Sequence, residues 1–140
     1  MKERKYYHYV FVTYKNRYII EGDIKEYLKR IFGEIAKRKN IKIISLAILS
    51  DHVHMLIEQK QNDLPAYIMK CFKGYSSYKL FHEPPNIDRL IYRKLWARSY
   101  YRREVSASEL RIVDDYIKHQ INKLGEDKRF INKTKWSRGV

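Results

Sequence analysis

The sequence predicts an α+β domain built on one antiparallel sheet, and three observations carry that expectation. Segments rich in β-branched and aromatic residues alternate with segments whose apolar residues recur every three to four positions. Their order is β-α-β-β-α-β, with a further helical segment after the last strand. The two middle strand segments are separated by only a few residues, which demands a hairpin. The chain length of 140 residues suits one hydrophobic core.

Tyr6–Tyr14 (YYHYVFVTY) supplies the first strand. After Gly22 and Asp23, the apolar residues Ile24, Tyr27, Leu28, Ile31, Phe32 and Ile35 share one helical face, with Lys and Arg opposite, and Asn40 closes the helix. IKIISLAIL (41–49) is a nearly continuous apolar strand, SDHV (50–53) interrupts it, and VHMLIEQ (53–59) resumes it. Asn62 or Asp63 is expected to cap a second helix, with Pro65 in the first turn where a missing N–H costs little. Its buried face is expected to be Leu64, Tyr67, Ile68, Cys71, Phe72 and Tyr75, and Pro84 and Pro85 end it. Residues 86–94 read as a loop and LWARSYYRREV (95–105) as a fourth strand. Ser106 and Glu109 match a capping box for a third helix, about 107–124, lined by Leu110, Val113, Ile117, Ile121 and Leu124 and stopped at Gly125. The whole is a ferredoxin-like or RRM-like β-α-β-β-α-β sheet with an additional C-terminal helix. Residues 1–125 form the domain and 126–140 its basic C-terminal tail.

Thirty Lys and Arg against 16 Asp and Glu give a formal charge of +14, which points to a polyanionic partner. Thirteen Tyr, five Phe and two Trp favour nucleic acid over a membrane surface, because exposed bases stack on rings while cations neutralise phosphates. The lone Cys71 excludes an internal disulfide and a Cys-based zinc site, so a reducing cytoplasm is the expected compartment. Apolar runs such as 43–49 are too short to span a bilayer, and MKERKYYHYV lacks the apolar core of a signal peptide. Neither a P-loop nor a GxGxxG fingerprint occurs, so no nucleotide cofactor is expected.

His52 and His54 stand two apart on a strand, so both imidazoles leave the same face, about 6.5 Å apart along the chain. Such a pair either holds a cation or is simply two surface or hydrogen-bonded histidines. Tyr116 and Gln120 stand four apart on the third helix and share a face beside its apolar stripe. There a hydroxyl and a carboxamide could reach a cation held by the histidines.

DHVHMLIE (51–58) resembles the HUH motif (His, bulky hydrophobe, His) of single-strand DNA nucleases, with Val53 as the hydrophobe. YIKHQ (116–120) is similar to the catalytic helix of one branch of them, the single-tyrosine transposases of the insertion-sequence 200/605 group (the IS200-like transposase family). KGYSSYKLF (73–81) and Leu95-Trp96 also look like recurrent phrases of that family, and the likeness covers most of the chain. The resemblance implies metal-assisted transesterification on single-stranded DNA. His52, His54 and Gln120 would hold Mg²⁺ or Mn²⁺, Tyr116 would form a 5′-phosphotyrosine link, and Asp51 would orient a histidine or serve only as a turn carboxylate. It further implies recognition of DNA hairpins at element ends, a homodimer with shared active sites, and a nucleoid-associated location in the cytoplasm. An ordinary tyrosine is ionised in roughly one molecule in a thousand at pH 7, and the sequence names no general base for it. Two departures stand out: Ser50 where proline is frequent, and REVSASE where a glycine-bearing turn is usual.

Arg98, Tyr100 and Arg102 alternate onto one face of the fourth strand as a candidate phosphate-contacting and stacking strip, with Arg103, Lys73 and Lys79 as further candidates. The competing reading makes the aromatics core or dimer interface. At the level of function, the alternatives are a domesticated repeat-associated HUH endonuclease, a non-catalytic nucleic-acid-binding ferredoxin-like module, and a zinc-dependent hydrolase. Covalent capture of DNA separates the enzymes that use Tyr116 from the binding module.

Overall fold

The computed structural model describes residues 3–83, 94–120 and 137–138. Strands β1 (Arg4–Val12), β2 (Lys42–Ile48), β3 (His52–Lys60), β4 (Ser99–Val105) and the short β5 (Ser137–Arg138) form one sheet in the order β2-β3-β1-β4-β5. Every neighbouring pair is antiparallel. Helices α1 (Gly22–Arg38), α2 (Pro65–Met69) and α3 (Tyr75–His82) lie on one face, and α4 (Leu110–Gln120) packs on the other. The α+β expectation therefore holds, and β5 adds a strand where only a tail was expected.

Alternation in β1 and β3 builds both layers. Tyr9, Phe11, Val53, Met55 and Ile57 enter the core beneath α1–α3, while Leu56 joins Ala47, Val105, Val113 and Ile117 beneath α4. All six apolar residues expected on the inner face of α1 are buried, and Ala36 joins them. The helix ends in a Schellman turn: Asn40 takes φ 57°, Ile41 N–H donates to Ala36 O (2.8 Å) and Asn40 N–H to Lys37 O.

Three expectations need correction. β1 is displaced two residues toward the N-terminus: Arg4 and Lys5 pair with Lys60 and Gln59, and beyond Thr13, whose N–H donates to Asp51 O, Lys15 and Asn16 turn the chain at positive φ. In the second helical segment Leu64, not Asn62 or Asp63, occupies the cap position, and Leu64 and Tyr67 are exposed. A π turn at Lys70–Gly74 joins α2 to α3. Its wider winding carries the buried series through Ile68, Phe72, Ser76 and Leu80, a spacing of four throughout. The fourth strand begins only at Ser99; Leu95–Ala97 are buried but hold the sheet through a single bridge, Trp96 to Thr13. The capping box is present, with Ser106 N–H donating to Glu109 Oε1 at 3.2 Å, and opens a tight turn (Ala107–Glu109) before α4. Ile121, Leu124 and Gly125 lie outside the described residues.

Phe11 sits at the centre of the larger core, edge-on to Trp96 (4.7 Å between centroids) and to Phe32 (6.0 Å). Phe11→Ala is expected to cost about 3–5 kcal/mol, read as a lower urea midpoint at unchanged m-value.

Candidate active site

The turn between β2 and β3 places the histidines. Leu49 N–H donates to His52 O (2.8 Å), and the segment after β1 closes over the turn, with Ile19 and Ile20 N–H both donating to Ser50 O. Asp51 and His52 are thereby buried at the sheet end rather than left on a hairpin tip. From His52 the alternation of β3 puts His52 and His54 on the α4 face, across from Val12 and Val10 of β1.

Both rings are fully buried and meet edge-on, their centroids 5.0 Å apart. His52 Nδ1–H donates to Asp51 Oδ1 at 2.7 Å, which turns Nε2 away from the carboxylate. That Nε2 is buried and has no hydrogen-bond partner. A third imidazole completes the cluster: His8 of β1 lies nearly parallel to His54 (5.5 Å, 24°), with His8 Nε2 3.2 Å from His54 Nδ1. Burial, aided by the Arg103 guanidinium, pushes the His8 pKa down to about 3, so this ring is neutral at physiological pH.

Helix α4 brings the remaining candidates. Val113 and Ile117 anchor it over Ala47 and Leu56. This leaves the half-buried Tyr116 ring edge-on to His54 (5.9 Å) and His8 (6.2 Å). Gln120, one turn on, is buried; its Nε2 donates to Tyr116 O (3.1 Å) and its Oε1 has no hydrogen-bond partner. Lys118 and His119 are exposed on the outer side of α4.

Among the described residues no three His, Cys, Asp or Glu side chains are grouped to hold a metal ion. The candidate donor set contains only two such residues, its third donor being a carboxamide oxygen. The residues present fit a divalent cation on their chemistry. His52 Nε2 and Gln120 Oε1 are buried lone-pair donors without a proton to satisfy them, a costly state that a cation would relieve.

The candidate DNA contacts are dispersed. Tyr100 is 2% exposed in the core beside Tyr9 and offers no ring face to a base. Lys73 is 4% exposed, donates to Arg98 O (3.2 Å) and lies over the Tyr100 ring. Burial, with Lys94 nearby, pushes its pKa down to about 8. For Tyr100 the cause is register: Arg102 pairs with the core-facing Tyr9, so even-numbered β4 residues face the helical layer. The odd-numbered residues face the histidines. Tyr101 meets His8 edge-on (5.5 Å), and Arg103, paired in register with His8, bonds Glu109 at 3.3 Å. Arg98 and Arg102 are exposed, and Lys79 is paired with Glu83 at 2.7 Å on α3. Sequence reasoning missed His8 and Tyr101. His8 lies 46 positions from His54, and only strand alternation within β1, once the register was known, could have found it.

An antiparallel sheet carrying two imidazoles at one strand start and a tyrosine helix on the same face defines the structural class. The family follows from comparison: the family model described as "Transposase IS200 like" matches residues 2–120. The chain belongs to the IS200-like transposase family, a family of DNA-cleaving and strand-transferring enzymes. It is 31% identical over 123 residues to the transposase for insertion sequence element IS200 of Salmonella typhimurium, covering 86% of this chain and 80% of that one. To the ISDra2 transposase TnpA of Deinococcus radiodurans it is 28% identical over 119 residues, covering 84% of each. Two solved structures share the fold. One is a Deinococcus radiodurans chain assigned as a transposase (TM-score 0.69, 23% identity, covering 86% of this chain and 93% of that one). The other is a REP-associated tyrosine transposase bound to a REP hairpin (TM-score 0.64, 14% identity, covering 91% and 72%). Among the described residues no helix is long and apolar enough to cross a membrane.

Proposed function

We propose that this protein is a DNA transposase that cleaves and rejoins single-stranded DNA at insertion-sequence ends through a 5′-phosphotyrosine intermediate. The observation that carries the reading is the Tyr116 ring lying against His54 and His8, on the face where His52 and Gln120 present buried lone pairs. Tyr116 Oη attacks the scissile phosphorus, the P–O3′ bond breaks, and the departing 3′ oxygen takes a proton as the phenol loses one. The new phosphotyrosine ester keeps the bond energy, so a second 3′-OH can displace Tyr116 and rejoin strands without ATP. His52, His54 and Gln120 are the residues that would hold Mg²⁺ or Mn²⁺, which when bound polarises the scissile phosphate and neutralises developing charge. Asp51 keeps the His52 proton on Nδ1, so that Nε2 is free to donate. Exposed Arg98 and Arg102 remain candidates for phosphate contact, and Arg103 stands on the catalytic face.

The insertion-sequence role rests on relatives at 31% and 28% identity, whereas the REP-associated neighbour at 14% shares the fold alone. By likeness to that neighbour, which is bound to a REP hairpin, we extend the proposal to DNA hairpins as the recognised element. We extend it also to a homodimer, checked by a light-scattering mass of twice the 17.1 kDa chain.

The test is incubation of labelled single-stranded DNA from the ends of the neighbouring element with Mn²⁺ or with EDTA, followed by a denaturing gel. A metal-dependent, protease-sensitive shifted band is expected. Native-gel binding with no covalent band on any end sequence would favour the non-catalytic module, and cleavage supported by zinc alone would favour the hydrolase.

A further inference from the structure

The two candidate ligand histidines are held in the same way by different partners. An imidazole that donates a lone pair from Nε2 must carry its proton on Nδ1, and whatever accepts that proton sets both tautomer and ring angle. For His52 the acceptor is Asp51 Oδ1 at 2.7 Å. For His54 the group at that position is another imidazole, His8 Nε2, at 3.2 Å.

We propose that His8 is a positioning residue that accepts the His54 Nδ1–H and so presents His54 Nε2 to the cation, as Asp51 does for His52. This rests on the reading of His54 as a metal ligand.

The surroundings of His8 suit the role. It is 3% exposed on the central strand, two pairs along from the Val10–His54 pair and on the same face, so its ring reaches His54 diagonally. Tyr101 and Tyr116 each set an edge or face against it, at 5.5 and 6.2 Å, which restricts rotation of the ring. A ring without charge has one N–H and one lone pair. In the proposed arrangement His8 keeps its lone pair at Nε2, facing His54, and then only the Nδ1–H tautomer of His54 completes the hydrogen bond. A free neutral histidine carries either proton; at this site the pair selects one. An imidazole is also a weaker acceptor than a carboxylate, so the two ligand histidines are unequally polarised, with His52 the more electron-rich donor.

The test uses the full chain without DNA and reads two quantities. One is Mn²⁺ affinity, titrated by electron paramagnetic resonance; the other is the His54 tautomer, read from ring ¹⁵N shifts in metal-free protein. The variants are His8→Phe, which keeps a ring between the tyrosines but removes the acceptor; His8→Gln, whose Oε1 can still accept; and His54→Ala. Wild type is expected to show the Nδ1–H tautomer at His54. His8→Phe is expected to shift it toward Nε2–H and to weaken Mn²⁺ binding about 10- to 100-fold, with His8→Gln recovering most of the loss. Wild-type His54 found as the Nε2–H tautomer would overturn the proposal even if His8→Phe failed to fold. So would unchanged Mn²⁺ affinity in His8→Phe beside a loss in His54→Ala. Wild-type Mn²⁺ affinity in His54→Ala is a separate result: it removes His54 as a ligand, and the proposed role of His8 with it.

Discussion

Tyr116→Phe is expected to bind single-stranded DNA as wild type does and to form no covalent adduct, a loss on the order of 10³-fold or more. The substitution deletes one oxygen and keeps the ring, so the edge contacts to His54 and His8 survive, as does the seating of α4 through Val113 and Ile117. Gln120 is unaffected too, because it donates to the Tyr116 backbone carbonyl rather than to the phenol. Binding and bond-breaking are thereby separated by a single atom. The necessary control is Tyr101→Phe, since Tyr101 also meets His8 on the same face. A shifted band that survives Tyr116→Phe and disappears in Tyr101→Phe would move the nucleophile from α4 to β4. A band lost only in Tyr116→Phe supports the assignment.

The histidine pair and the tyrosine helix were legible in the sequence because each is local. Period-two alternation fixes the shared face of His52 and His54. The capping box at Ser106 and Glu109 starts the helix that carries Tyr116 and Gln120. The order of elements was legible for the same reason. What escaped depended on pairing between distant strands or on non-standard winding. His8 joins the site only because β1 lies beside β3 in a particular register. Whether Tyr100 belongs to a stacking strip or to the core stays open in the sequence, because alternation says which residues share a face and not which face that is; the Tyr9–Arg102 pair decides it. Leu64 and Tyr67 looked buried under a regular helical period, but Leu64 sits at the helix cap, and the buried row runs from Ile68 through the π turn at Lys70–Gly74 to Leu80. Lys73, read as a surface cation, is drawn inward by the same turn and finds a carbonyl and a ring face instead of solvent.

His54→Ala is the second large effect expected: loss of metal-dependent cleavage by about 10²-fold or more, with most of the DNA affinity kept. The two properties draw on different parts of the molecule. Affinity for single-stranded DNA is dominated by neutralised phosphates, and a chain of formal charge +14 has cations to spare far from the buried histidines. The slope of log Kobs against log salt should therefore match wild type within about one unit. Cleavage depends on His54 directly, and removing the ring also breaks its hydrogen bond with His8 Nε2 and opens a cavity beneath Tyr116. Some loss of stability follows, so the comparison is made below the variant's unfolding transition, checked by circular dichroism. A fold that persists, a salt slope that persists and a cleavage rate that collapses place the histidine in the chemistry. If cleavage persists with them, the buried imidazoles are packing and hydrogen-bonding groups, and the α4 tyrosine must act without a cation at that position.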